Sequence, residues 1–75
     1  MYELTEKQIA ETTTRFTYHS PKNDQPKRYQ EIRETFLAIA LGLQQNCPQS
    51  RELSLALTKL EESCMWANAA IARRE

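Results

Sequence analysis

Apolar residues recur at steps of three and four along most of the chain, which is the spacing of one face of an α-helix and not of a strand. Two long stretches show it. The first contains Tyr29, Ile32, Phe36, Ile39 and Leu43, and the second contains Leu53, Leu57, Leu60, Cys64, Ala67 and Ile71. Because only a few residues separate the two stretches, they predict an antiparallel helical hairpin with a coiled-coil-like seam.

Local signals give the ends of the predicted helices. Thr5 and Gln8 have the spacing of a capping box, which predicts a short helix near the N-terminus. Pro26 suits the first turn of a second helix, and Ser50 is the expected N-cap of a third. We therefore expect one domain, residues 1–75, with a helix at about 5–15, a loop at 16–25, a helix at about 26–46 and a helix at about 50–73.

Several apolar residues lie outside both seams. Leu37 and Leu41 widen the apolar stripe of the second helix, which indicates a second apolar contact there, and the third helix has Leu55, Met65, Trp66 and Ala69 off its seam. An isolated hairpin would expose them, and a contiguous exposed apolar surface indicates burial against another molecule. We expect other copies of the chain to cover them, with Trp66 as a packing anchor. The expected fold class is all-α: a short N-terminal helix plus a long antiparallel helical hairpin, assembled as a compact homo-oligomer.

Composition narrows the classes of partner. The 75 residues include ten Lys or Arg and ten Asp or Glu, so the formal net charge is zero. Polymeric DNA or RNA is not expected to bind, because such ligands normally need an excess of cations, whereas a small phosphate ligand needs only a few. No apolar run approaches the roughly 20 residues of a membrane span, and no leader pattern is seen. We expect no membrane association and a cytoplasmic location.

The chain has few residues of the types that act in catalysis, metal binding or disulfide formation. Cys47 and Cys64 are too far apart in the predicted hairpin for an intrachain disulfide, so both are expected to be small buried apolar residues. One histidine and two separated cysteines give no metal site with credible spacing, and no cofactor is expected. Glu61 and Glu62 are adjacent on a helix and point to different faces. Without a catalytic set or a glycine-rich phosphate loop, we do not expect an enzyme.

Charge is balanced overall but not along the chain. Residues 15–33 contain five cations against two acidic residues, and Arg73 and Arg74 follow near the other end of the sequence. In an antiparallel hairpin, residues 69–74 run beside the loop at 17–25, so these cations meet aromatic residues at one end. That end is either an anion site with stacking surfaces or a solvated basic surface. Composition leaves both interpretations open.

Three residues at this end have both a functional and a structural interpretation. Tyr18 lies outside the seams, so it could stack on a base or anchor the loop. His19 could donate a hydrogen bond to a phosphate or a base, or serve the structure of the loop. Arg33 could bind a phosphate with two nitrogens, or it could pair with Gln30 or Phe36 three positions away or with Glu34 or Glu62 on the surface.

Three separate stretches carry a resemblance to a known family. They are Phe16-Thr17-Tyr18-His19-Ser20-Pro21, the run from Ser50 to Thr58, and the run from Met65 to Arg73. In this order they resemble the helical-hairpin cyclic-nucleotide sponges of phages, which antagonise CBASS immunity and are related to Thoeris anti-defence proteins. The resemblance covers roughly residues 15–74.

The resemblance implies a non-catalytic sponge in the cytoplasm of the infected bacterium. Such proteins form hexamers that sequester cyclic di- and trinucleotides, for example cyclic GMP-AMP and cyclic tri-adenylate. By position, Tyr18 and Arg33, with His19 beside them, would form the cyclic dinucleotide pocket. Thr35 and Arg73 would belong to the cyclic trinucleotide pocket. In the predicted hairpin these two residues are separated by ~20 Å along the helices, so one pocket using both would combine different subunits.

Two other functions stay open on the residues alone. The chain could be a small helical protein-interaction module, such as a phage regulator or an antitoxin-like binder, whose off-seam apolar residues contact a foreign partner. It could also cleave cyclic nucleotides, although no catalytic set is visible.

Overall fold

The computed structural model describes residues 1–75 and contains three α-helices and no strands. Helix α1 spans Glu6–Arg15, α2 spans Gln25–Asn46 and α3 spans Arg51–Arg74. The all-α hairpin class expected from the apolar spacing is confirmed. Helix α2 begins one residue before the expected start, and α3 begins one residue after it.

The helix ends follow from local hydrogen bonds. Thr5 and Gln8 form both bonds of the capping box, with the Gln8 N–H donating to Thr5 Oγ1 over 3.1 Å. The Ser50 hydroxyl accepts from the Leu53 N–H over 3.1 Å and caps α3. In α1, the threonines near the C-terminal end donate their hydroxyls to carbonyls one turn back, Thr13 to Ile9 and Thr14 to Ala10. The β-branched run therefore stays helical as far as Arg15.

Helices α2 and α3 form the hairpin, and they are the one pair of helices in extensive contact. Most of the expected seam is half-buried between them, including Phe36 and Leu57. One seam position is wrong: Ile39 is 45% exposed, whereas Ala40 is half-buried and lies in the groove between the helices. A step of four after Phe36 directs the small Ala40 towards α3 and leaves the larger Ile39 on the flank.

The protomer has no apolar core. No hydrophobic residue is buried, and the single buried residue is polar, Gln25. The radius of gyration is 16.8 Å, against about 11 Å for a compact domain of this length. Of the apolar residues expected outside the seams, Leu37, Leu41, Leu55, Met65 and Trp66 are exposed, and Ala69 is half-buried. The fold is thus a thin layer of helices with apolar surface left open to solvent.

The cysteines differ from expectation in one respect. Both are free thiols, and Cys64 is half-buried in the seam. Cys47 is exposed, so its expected burial is wrong for the protomer. It follows the last residue of α2, where the chain leaves the hairpin seam. None of the three helices is long and apolar enough to span a bilayer.

Candidate ligand-binding groove

A shallow groove lies at the open end of the hairpin, which is the end opposite the turn between α2 and α3. It has a volume of about 520 Å³ and is bordered by the loop after α1 and by both long helices. Its lining residues are Arg15, Thr17, Tyr18, His19, Tyr29, Arg33, Met65, Asn68, Ala69, Ala72 and Arg73. Four of the five site residues expected from the sequence therefore line one groove.

The loop carries the aromatic side of the groove. The Tyr18 ring is 80% exposed and has no packing role that would require its place there. The residues beside it are held to the last turn of α1: the Thr17 hydroxyl donates to the Thr13 carbonyl, and His19 Nε2 lies 2.8 Å from the Thr14 carbonyl oxygen. Because a carbonyl can only accept, Nε2 of His19 carries the proton in this contact. His19 thus serves the loop with one nitrogen and leaves Nδ1 for another partner.

The cationic side of the groove comes from the helices. Arg33 on α2 donates to the Gln30 side-chain oxygen over 3.2 Å and forms no salt bridge. Arg73 on α3 lies over the Trp66 ring, with its guanidinium carbon 5.7 Å from the ring centroid, and it too forms no salt bridge. Arg15 is paired with Glu11 over 3.1 Å. Since no carboxylate lines the groove, the charges of Arg33 and Arg73 are not neutralised there.

The geometry suits a planar anionic ligand. An exposed ring on one side and two guanidinium groups without carboxylate partners on the other offer stacking together with charge-assisted hydrogen bonds. The floor between them is formed by the Met65, Ala69 and Ala72 side chains of α3, which are apolar and small or flexible.

Comparison with known families shows to which family the chain belongs. A model of the Acb2/Tad1 hairpin domain matches residues 8–72. The chain belongs to the Acb2/Tad1 hairpin family. This is the family of anti-CBASS and anti-Thoeris sponges, as the three sequence stretches had indicated. No curated protein and no solved structure matches the chain significantly.

In this Acb2/Tad1 hairpin, Thr35 lies apart from the groove. Its hydroxyl donates to the Glu31 carbonyl over 2.9 Å, as mid-helix threonines commonly do. The sequence resemblance had paired Thr35 with Arg73, but within one protomer Arg73 lies with Tyr18, His19 and Arg33. A ligand that contacts both Thr35 and Arg73 would have to bridge two protomers.

An ion pair connects α1 of this Acb2/Tad1 hairpin to the end of α3. Arg74 donates to both carboxylate oxygens of Glu11, with Nη1 2.9 Å from Oε2. This bond, and to a smaller extent the one from Arg15, lowers the pKa of Glu11 from 4.5 to about 2. Because α1 has little other contact with the hairpin, the pair helps to hold the helix and its following loop in place.

A second carboxylate joins the other end of the loop to α3. Arg28 donates to both oxygens of Glu75, with Nη1 2.8 Å from Oε2. That bond is the main reason why the pKa of Glu75 falls to about 2, and Gln25 adds to the effect. The same interaction raises the pKa of Arg28 above its ordinary value. In the loop itself, Lys22 Nζ donates to the Glu75 carbonyl over 3.2 Å, so charged and polar groups attach the loop to α3 at this end as well.

Sequence reasoning missed several groove and support residues. Asn68 and Met65 line the groove, and neither had been given a role there. Gln25 and Glu75 were not singled out, because a glutamine before a proline and a terminal glutamate resemble ordinary surface residues. Tyr29 was expected to be a seam residue; it is half-buried and also lines the groove.

Proposed function

We propose that this protein is a non-catalytic sponge that sequesters cyclic di- and trinucleotide second messengers and so blocks CBASS-type immunity in the cytoplasm of the infected bacterium. The observation that carries the proposal is the groove of a member of this family, in which Tyr18 and His19 face Arg33 and Arg73. A cyclic dinucleotide has two bases for stacking and two phosphates for the arginines. The groove offers no carboxylate to repel those phosphates.

The proposed assignment of residues to ligands follows the family resemblance. Tyr18, His19 and Arg33 bind cyclic dinucleotides such as cyclic GMP-AMP. Thr35 and Arg73 bind cyclic trinucleotides such as cyclic tri-adenylate, in a pocket shared between protomers. Arg73 has a second possible role, since it also lines the first groove. Arg73 is therefore the one residue of the two sets that would contact both classes of ligand.

The protein is proposed to work as a homo-oligomer, and a hexamer is the form that family membership favours. One protomer has 6455 Å² of accessible surface, whereas a compact protein of this mass would have about 4,800 Å². The excess of about 1,700 Å² is about twice the share that one partner buries in a standard interface. Each protomer can thus sustain more than one interface, which supports an assembly larger than a dimer.

The experiment is a calorimetric titration with cyclic GMP-AMP and cyclic tri-adenylate, together with mass measurement by light scattering. The expected result is tight binding of both ligands to an oligomer. Denaturing the complex should return the ligands intact, which separates a sponge from a cyclic-nucleotide hydrolase. A protein that binds neither ligand contradicts the proposal.

The exposed apolar face also supports one other function, a protein-interaction module with a foreign partner. Leu37, Leu41 and Leu55 are all about half exposed in the protomer, and such a face needs a cover of some kind. A monomer that is not stabilised by any cyclic nucleotide would favour this second function.

A further inference from the structure

Gln25 is the one buried residue of the protomer, with 2% of its surface exposed. A buried polar side chain is costly unless its donors and acceptors are bonded. Here both ends of the amide are used. Oε1 accepts from the Lys22 N–H over 3.1 Å, and Nε2 donates to the Glu75 carboxylate over 3.2 Å. The Tyr29 hydroxyl lies 3.5 Å from the same Oε1.

These bonds join three parts of the site. Lys22 belongs to the loop that carries Tyr18, Tyr29 lines the groove from α2, and Glu75 follows directly on the end of α3. Phe16 and Tyr18, the aromatic side chains of the loop, are 86% and 80% exposed, so apolar packing does little to hold the loop in place. Its place relative to α3 depends on the polar contacts at its two ends, and Gln25 forms the inner contact at the second end.

We propose that Gln25 is a positioning residue for the ligand groove: by linking Lys22 of the loop to Glu75 after α3, it holds Tyr18 opposite Arg73. The inference rests on the function proposed above and assigns to it a residue that does not touch the ligand. A loop already in its bound position does not have to be ordered when the ligand arrives, which raises the affinity. When the loop is in place only part of the time, the observed affinity falls by that fraction.

The chemistry of the junction requires an amide at position 25. Glutamate would keep the acceptor for Lys22 N–H but would set a carboxylate against the carboxylate of Glu75. Leucine would remove both bonds. The requirement can, however, be met by exchanging the two groups. With Gln25→Glu and Glu75→Gln together, the glutamine at 75 donates to the glutamate at 25, and Arg28 still has an oxygen to bond.

The reciprocal exchange is the test. Wild type, Gln25→Glu, Glu75→Gln and the double variant are titrated with cyclic GMP-AMP, and association rates are measured by stopped flow. We expect Gln25→Glu to weaken binding roughly tenfold, the effect of one hydrogen bond to a charged group. The loss should lie mainly in the association rate, and the double variant should recover most of it. Because the second substitution would also repair a loss of stability caused by the same carboxylate repulsion, the affinity of each variant is compared with its melting temperature.

Controls separate positioning from folding. Gln49→Glu adds the same charge at an exposed position in the turn at the other end of the hairpin and should leave the affinity unchanged. Light scattering and thermal melting must show the same assembly for every variant that is compared. If Gln25→Glu fails to assemble, Glu75→Ala is titrated instead, because residue 75 is exposed. The same loss of affinity is expected.

Hydrogen exchange at the Lys22 amide tests the junction without any ligand. It should be faster in Gln25→Glu and return towards the wild-type rate in the double variant. Unchanged affinity and unchanged exchange in Gln25→Glu would overturn the inference while the sponge function stands. If the wild type binds no cyclic nucleotide, the proposed function fails, and unchanged exchange at Lys22 would still overturn the role of Gln25 in holding the loop.

Discussion

The two ends of this hairpin are held together by different forces. Between Phe36 and Cys64, which we call the body, α2 and α3 meet through apolar side chains and leave a further apolar surface uncovered. At the open end, the loop and α1 are attached through carboxylates, arginines and one glutamine. The proposed assembly would therefore stabilise the body, whereas the open end can set the geometry of its groove within one chain.

The largest expected effect is on the body. Leu37 is 58% exposed in the protomer, and Leu37→Glu would bury a charge in the proposed interface, which is strongly unfavourable without a partner. We expect the assembly to dissociate at micromolar concentration, as measured by light scattering. Ser54→Glu, at an exposed polar position, is the control. A Leu37→Glu variant with the mass of the wild type would show that this surface is not covered by another copy.

Trp66 lies where the body meets the open end, so its substitution tests which of the two regions the ring stabilises. If the assembly buries the ring, Trp66→Ala should cost ~3–5 kcal/mol of stability and disperse the oligomer. If the ring only supports Arg73, over which it lies at 5.7 Å, the melting temperature changes little and ligand binding weakens. We expect the first result, and chemical denaturation followed by mass measurement distinguishes the two.

Substitutions in the groove should affect binding and leave the body intact. Tyr18→Ala removes a stacking surface worth ~1–3 kcal/mol per base, and Arg33→Ala removes a charged hydrogen bond worth about 1.5–3 kcal/mol. Each should weaken cyclic dinucleotide binding by at least about tenfold in calorimetry while the oligomer mass stays the same. Variants that titrate like the wild type would show that the ligand lies elsewhere.

The two classes of ligand should respond to different substitutions. Thr35 does not line the groove that contains Tyr18, so exchanging Thr35 for a bulky residue such as Phe should impair cyclic trinucleotide binding and spare cyclic dinucleotide binding. Tyr18→Ala should do the reverse. A wild type preloaded with a dinucleotide should take up a trinucleotide without releasing the first ligand. Displacement of the first by the second would instead indicate a common pocket.

The smallest expected effect is the response of the open end to acid. Folding lowers the pKa values of Glu11 and Glu75 from 4.5 to about 2. A lowered pKa stabilises the folded form fully above the unfolded value, and the stabilisation is lost as the pH falls from 4.5 towards 2. Because both ion pairs are exposed, the effect is small and weakens with salt. Amide NMR signals of the loop, such as that of Lys22, should shift in this range before those of the body. If the signals of the loop and of the body shift at the same pH, the open end is not more sensitive to acid than the body, and the prediction is wrong.

The sequence predicted what depends on periodicity and on local capping. The 3.6-residue spacing predicted both long helices, and Thr5 and Ser50 indicated where two helices begin. The prediction was wrong at Ile39 and Ala40, where either of two neighbouring residues could face the other helix. Spacing alone does not determine the rotation of one helix against another. The exposure of Cys47 was missed for another reason: this residue lies at the turn, where the chain has left the hairpin seam.

For the candidate groove, the antiparallel register was enough to bring the loop beside the end of α3. It could not show that Arg73 lies with Tyr18 in the same protomer, because that depends on how α1 and the loop are attached. The attachment uses Glu11, Gln25 and Glu75, whose bonds to residues far along the chain leave no pattern in a single sequence. Side-chain bonds between residues some fifty positions apart become visible only in the folded chain.

If the protomers assemble and act as proposed, the missing core has a consequence for dosage. When folded protomers are stabilised mainly by one another, the folded fraction depends on the total concentration of the chain. Early in expression, few chains would be assembled, and most would be open to proteolysis. Past a threshold of synthesis, folding and assembly would rise together and steeply. The capacity to bind a messenger would therefore grow as a high power of the amount of protein made, and a modest delay in translation would cost the phage far more protection than the lost protein alone would suggest.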